Sequence, residues 1–403
     1  MAVDHSQVVR GYIDEHEDDA VGLFQQLVRT VSANPPGDEK AVADLCASYA
    51  IALGMEVVQY EPAPRRVSNL LRLPGLGGGP TLLFNSHIDT FPAGDERNWR
   101  YPPYSAEIHD GVVWGVGTRN MKAGVAAAMF AAKAVVACHV PLRGDLLLCQ
   151  AADEIVLGDL GLRWLVERGL VQADMAVYTE ANPPLKIEIA ARGMVRLEVT
   201  VHGLAKHTKY KVEHSTSGQP VNAIARMAPV ISAIEAMAFS DWEPNAHIPG
   251  PPVISVNQIS GGQHPAQTAE SCVILCDCRT LPGQRTADVL ADVQRVVDAC
   301  GAADPDLRAE VRVVTEAESC GISPDAPIVA AVQRAVVSVI GREIPIAGVG
   351  STSDMRWLVN QAGIPTCKFM FPSTETGTNE FETVQDYMDT IRVYAALILD
   401  QLL

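Results

Sequence analysis

Long hydrophobic runs are scarce in this 403-residue chain. The longest, residues 123–137 (AGVAAAMFAAKAVVA), is interrupted by Lys133. It falls short of the roughly 20 apolar residues that span a bilayer and predicts a buried helix. Positive charge is also in deficit, with 31 Lys and Arg against 48 Asp and Glu and a net charge of −17 spread along the chain. That field repels polyanions, so neither nucleic acid nor an anionic membrane surface is an expected partner. The nine cysteines include no CxxC pair, which argues against a disulfide framework and for a reducing compartment. Cys272, Cys276 and Cys278 share one parity of an expected strand. Core packing is preferred there over a metal cluster, because Cys is among the most buried residue types. The first residues, MAVDHSQVVRGYIDEHEDD, hold no apolar segment of the secretory kind, and the expected location is the cytoplasm. A phosphate loop is missing too: GLGGG at 75–79 leads neither to Lys-Ser/Thr nor to a helix entry.

What is present is a folded chain of two to three domains by length, 48% hydrophobic and 20% charged. Short apolar runs at 81–86, 145–151 and 175–179 alternate with helical patterns at 38–53, 122–137 and 160–168. This alternation predicts an α/β layer with a mostly parallel sheet flanked by helices. The character changes near Arg192. Period-two strands at 195–203, 253–259 and 271–279 surround a helical stretch at 221–239, as in a separate α+β unit. From about Val311 the α/β style returns, with strands near Ile346 and Lys368 and a last helix at 384–403. The expected organisation is a catalytic α/β domain in two parts, 1–191 and 311–403, interrupted by a smaller α+β unit at 192–310.

The chemistry-bearing residues gather at expected strand ends. His87-Ile-Asp89 follows the run TLLFN, and residues i and i+2 of an extended end point the same way. Asp89 can then fix one tautomer of the His87 imidazole, although an isolated HxD pair is more often structural. A Gly-rich loop into a small-residue helix (GVGTRNMKAG) places Asn120 at a helix entry, and Asp153-Glu154 and Glu180 close the next two strands. Convergence of such groups at the carboxyl ends of parallel strands is the arrangement of a ligand or acid/base site.

These segments, with ARGMVRLEVTVHGLAKHT, ISGG, CDCRTLPG, GSTSDMR, GIP and TNEF, resemble in order and spacing the co-catalytic zinc metallopeptidases. That family includes aminoacylase, acetylornithine deacetylase, succinyl-diaminopimelate desuccinylase and carboxypeptidase G. The resemblance covers nearly the whole chain and implies a catalytic domain carrying a smaller lid that dimerises, hence a homodimer or higher homo-oligomer acting on a small molecule. It implies His87 and Glu180 as ligands of one metal site, Asp89 as the orienting carboxylate and Glu154 as the general base. His207 stands for the family's oxyanion-stabilising histidine and Arg279 for its carboxylate anchor, each with the alternative of a strand or surface residue without a role. Three positions depart from the pattern. Asn120 replaces the bridging aspartate, Ile155 falls on the second metal's glutamate, and Thr376 on its histidine. All three strike the same metal site.

The expectation is therefore one loosely held divalent transition metal (Mn, Zn or Co) on His87, Asn120 and Glu180. An alignment slipped by two residues would instead make Asp153 the base and Glu154 a ligand. Bulky Met370 and Phe371 replace a Gly-rich pocket loop and suggest a flat or aromatic substrate. The expected function is hydrolysis of a C–N bond in a small carboxylate-bearing molecule, as an aminohydrolase releasing ammonia from an activated aromatic amine such as 5-nitroanthranilate. The alternatives are an N-acyl amino acid or dipeptide amidohydrolase, or an inactive family member serving as a binding protein.

Overall fold

A computed structural model describes residues 4–213, 215–374 and 376–403. These form two compact units, one holding the chain up to Ile189 with Gly321–Ala347 and Asp354–Leu403, the other Ala190–Cys320 with Gly348–Ser353.

The first unit is built on a mixed sheet. Its order runs Glu56–Ala63, Arg66–Leu73, Asp145–Ala151, Thr81–His87, Met175–Tyr178, Thr366–Lys368 and Ile187–Ala191. The four strands from Asp145–Ala151 to Thr366–Lys368 are mutually parallel. The strands outside them pair antiparallel. The parallel strands are almost continuously buried, as expected when helices cover both faces. Ala123–Ala137 is the central helix, buried at twelve of its positions. Its abundance of Ala and Gly allows a close approach: a Cβ on Gly124 would overlap the Thr179 carbonyl. Val384–Leu402 packs beside it, its start capped by the Thr383 hydroxyl accepting from the Asp386 amide at 3.0 Å. The Tyr394 hydroxyl on this helix donates to the Phe369 carbonyl at 2.6 Å.

The second unit carries a four-stranded antiparallel sheet in the order Val253–Gly261, Ser271–Thr280, Gly193–His202, Arg308–Ala317. Ser271–Thr280 alternates strictly between buried and half-buried residues. This puts Cys272, Cys276 and Cys278 together in the core, under the helices Ala223–Glu235 and Thr286–Ala303. The nine cysteines are all free thiols. The strand Arg308–Ala317 and the hairpin Glu56–Ala63/Arg66–Leu73 are absent from the sequence reading. Glu56–Ala63 and Arg308–Ala317 are half exposed, and their polar faces mask the apolar ones. Arg66–Leu73 is mostly buried, but Ser68 and Asn69 interrupt its apolar run.

Register brings the chemistry to one end of the parallel strands. His87 lies beside Ala151, and Tyr178 lies beside Lys368. The residues that follow, 152–154 and 179–180, leave the sheet on the same side as His87.

Candidate functional site

His87, at the last position of Thr81–His87, is 1% exposed. Its Nδ1 faces the Asp89 carbonyl oxygen at 2.9 Å and Asp89 Oδ1 at 3.3 Å. Its Nε2 faces Asn120 Oδ1 at 3.0 Å and Glu154 Oε2 at 3.7 Å. The carboxylate and carbonyl oxygens around it favour a ring that carries hydrogen on both nitrogens. Burial alone would lower its pKa, but the Glu154 and Asp89 carboxylates prevail and raise it to about 10.

Asp89 is fully buried and fully satisfied. It accepts from Asn34 Nδ2 at 2.9 Å and from the amides of Glu154 at 3.2 Å and Ile155 at 3.1 Å. The orienting carboxylate thus also pins the backbone that carries Glu154. The Glu154 side chain keeps 18% exposure. Burial pushes its carboxyl up to about 7, with His87 opposing the rise and Asp354 and Glu180 adding to it. The loop closes through Gly161, where a Cβ would collide with the Ala152 carbonyl.

Asp153 points elsewhere. It is 3% exposed, lies in the left-handed region at φ 67°, and is ion-paired with Arg66. It also accepts from Asn34 Nδ2 at 3.2 Å and the Leu160 amide at 2.9 Å. Arg66 in turn holds buried Glu39 at 2.8 Å. These bonds fix the loop and leave the carboxylate no free oxygen facing His87, which favours Glu154 over Asp153 as the base.

Glu180 has different company. Lys368 Nζ reaches its Oε2 at 2.8 Å, and Arg119 Nη1 reaches its Oε1 at 3.3 Å. Burial would raise its carboxyl, but these two cations bring it down to about 2. Arg119 also donates to Thr376 Oγ1 at 2.5 Å, to Asn182 Oδ1 at 2.8 Å and to the Ala181 carbonyl. Beneath this, Glu380 accepts from the amides of Arg119 at 2.8 Å and Asn120 at 2.7 Å, and burial lifts its carboxyl to about 7. Asp354, 1% exposed, is paired with Arg356 at 3.0 Å. Arg119, Lys368, Glu380 and Asp354 were not singled out from the sequence. Glu380 and Asp354 lie in TNEF and GSTSDMR, so the matched segments themselves were the signal for them. Lys368 closes the fourth parallel strand, the position that had identified His87, Glu154 and Glu180.

Of the ligands expected from the sequence, His87 and Asn120 come together, with Nε2 of His87 3.0 Å from Asn120 Oδ1, while both oxygens of Glu180 are taken by cations. Among the described residues no group of three or more His, Cys, Asp or Glu side chains is arranged to hold a metal ion. The residues present do not fit a divalent ion, whose ligands must be deprotonated and free of competing cations.

Met370 and Phe371, expected to line the pocket, lie in the interior. They are 1% and 5% exposed and belong to the main hydrophobic core, with the Phe371 amide donating to Thr390 Oγ1 at 3.1 Å. Their bulk fills the interior instead of offering a flat surface to a ligand. His207 and Arg279 lie in the second unit. His207 is exposed, and its Nδ1 accepts from the Lys209 amide at 3.2 Å. Arg279 is paired with Asp277 at 2.6 Å and lies 3.4 Å from Thr352 Oγ1.

N-formyl-4-amino-5-aminomethyl-2-methylpyrimidine deformylase of Halalkalibacterium halodurans is 26% identical over 385 residues, covering 89% of this chain and 88% of that protein. Succinyl-diaminopimelate desuccinylase of Paracoccus denitrificans is 32% identical over 217 residues, 52% of this chain and 55% of that protein. The solved structure of YXEP from Bacillus subtilis, described as a dinuclear metal binding peptidase, shares the fold with a TM-score of 0.72. It is 14% identical, with 96% of this chain and 98% of that one covered. A profile described as Peptidase family M20/M25/M40 matches residues 83–400. That match spans most of the chain, both strand-end carboxylates and the second unit, and the chain belongs to this family of C–N hydrolases.

Proposed function

We propose that the bond cleaved is an activated amide of a small N-acylated molecule, with Glu154 moving the proton. The observation that carries this reading is the Glu154–His87 pair: a partly exposed carboxylate beside a buried imidazolium at 3.7 Å. A base with a pKa near the working pH is matched to taking a proton from water and returning it to a leaving nitrogen. His87, oriented by Asp89 and already facing Asn120 through its other nitrogen, acts on Glu154 by its charge, and the donor to the carbonyl oxygen is His207. A single donor and a single base demand an unhindered acyl carbon or a good leaving nitrogen, and a formyl amide offers the first. The likeness to a deformylase over 89% of the chain supports the same class.

His207 and Arg279 keep their proposed roles, oxyanion donor and carboxylate anchor, on the strength of their motifs. Hydrolysis of an aromatic amine such as 5-nitroanthranilate rests on the departures at the second metal site and on Met370 and Phe371 as pocket residues. With both side chains in the core the second support falls away, and the N-acyl reading is preferred. The test is kcat/KM on a panel of N-formyl, N-acetyl and N-succinyl amines and aromatic amines, with Glu154→Gln as the control. Turnover of formyl amides that Glu154→Gln abolishes is the expected result. Ammonia release from an aromatic amine with no N-acyl turnover would overturn it.

A further inference from the structure

Two buried cations meet at Glu180, and the hydrolysis outlined above uses neither. Arg119 and Lys368 are each 1% exposed. A full charge is tolerated at that depth only when paired and hydrogen-bonded, and both are. Lys368 sits 2.8 Å from Glu180 and 3.5 Å from Glu188. Arg119 bridges Glu180, Thr376, Asn182 and the Ala181 carbonyl. Its guanidinium therefore lies between Thr376 and Glu180, two of the positions at which the resemblance implies metal ligands.

On the other side of the centre, Nε2 of His87, the nitrogen that would ligate, faces Asn120 Oδ1 at 3.0 Å and Glu154 Oε2 at 3.7 Å. A divalent ion arriving at Glu180 would stand against a guanidinium at 3.3 Å and an ammonium at 2.8 Å. It would also have to displace hydrogen bonds already made.

We propose that this centre has exchanged divalent ions for side-chain cations. Arg119 and Lys368 satisfy Glu180 permanently, and the chain holds no metal ion at His87, Asn120 and Glu180. The inference stands on which atoms occupy Glu180 and does not depend on which C–N bond is cleaved.

The test uses the full chain, stripped with EDTA, incubated with excess Zn²⁺, Mn²⁺ or Co²⁺, and desalted. Metal is counted by elemental analysis, and the melting temperature is followed with and without each ion. The expected result is metal content at background for all three ions and no shift in melting temperature with metal or chelator. One or more ions per chain retained by the parent and lost in His87→Ala or Glu180→Gln would overturn the proposal. Ions that survive both substitutions sit elsewhere on the acidic surface and agree with it. A parent at background needs neither variant; where the parent retains metal, whichever of the two variants folds supplies the comparison. Failure of the substrate panel, by contrast, would leave the metal count untouched.

Discussion

Replacing Lys368 by Met keeps most of the apolar stem and removes the ammonium from a cluster in which it is 1% exposed. Glu180 would be left with Arg119 on one oxygen. Glu188 would keep Asn182 and Lys186, the latter at 3.2 Å. Removing one partner of a buried pair costs about 3–5 kcal/mol, because the remaining charge is stranded away from water. For a unit of this size that corresponds to a fall of roughly 6–15 °C in melting temperature. Adding Glu180→Gln in the same chain removes the stranded charge and leaves Arg119 with three neutral acceptors, so most of the loss should return. Scanning calorimetry, following the transition of the unit that holds the parallel sheet, reads both steps. If Lys368→Met melts within a degree or two of the parent, or the double variant melts no higher than the single one, the pairing described for Glu180 is wrong.

Three further outcomes follow from the same geometry. Glu154→Gln should lower kcat/KM by roughly 10²–10⁴-fold while leaving the melting temperature near the parent's, since Asp89 still pairs with His87 and holds the loop. Asp153→Asn should do the opposite, losing about 1–3 kcal/mol of stability as a charge-assisted bond goes while Arg66 keeps Glu39, and retaining more activity per folded molecule than Glu154→Gln. The reverse order would favour the slipped alignment. In the second unit, burial would raise the Asp292 carboxyl, but bonds from the Ser240 amide and hydroxyl and from Arg295 hold it below its ordinary 3.8. Its stabilising contribution is therefore complete above pH 3.8 and fades as pH falls through the lower folded value. The difference in melting temperature between the parent and Asp292→Asn should shrink below that pH, and a difference that persisted to the acid limit would contradict the assignment.

Much of the architecture was legible because buried parallel strands read as short apolar blocks. The blocks at 81–86, 145–151 and 175–179 correspond to Thr81–His87, Asp145–Ala151 and Met175–Tyr178. Their polar last residues led directly to His87, Glu154 and Glu180. The occupants of Glu180 were not legible. A buried lysine or arginine looks like a solvated one in sequence, and its partner is fixed by topology: Lys368 and Glu180 are 188 residues apart and meet because their strands are neighbours. Met370 and Phe371 failed for a related reason. Apolar side chains announce burial but not which surface they cover, and the Val384–Leu402 helix that lies over them belongs to the chain's far end.

The bonds made by Arg119 also bear on the routes by which this sequence can change. An aspartate at position 120 alone would add a carboxylate beside Glu154 without freeing Glu180. A histidine at 376 alone would take away the hydroxyl to which Arg119 donates, and a smaller residue at 119 alone would leave Lys368 in place. A glutamate at 155 would gain no partner until the other three had changed. No single step towards a paired-metal arrangement such as that described for YXEP frees Glu180 from both of its cations, so the centre behaves as a mutational ratchet. Reinstalling metal chemistry on this scaffold calls for positions 119, 120, 155, 368 and 376 to be altered together.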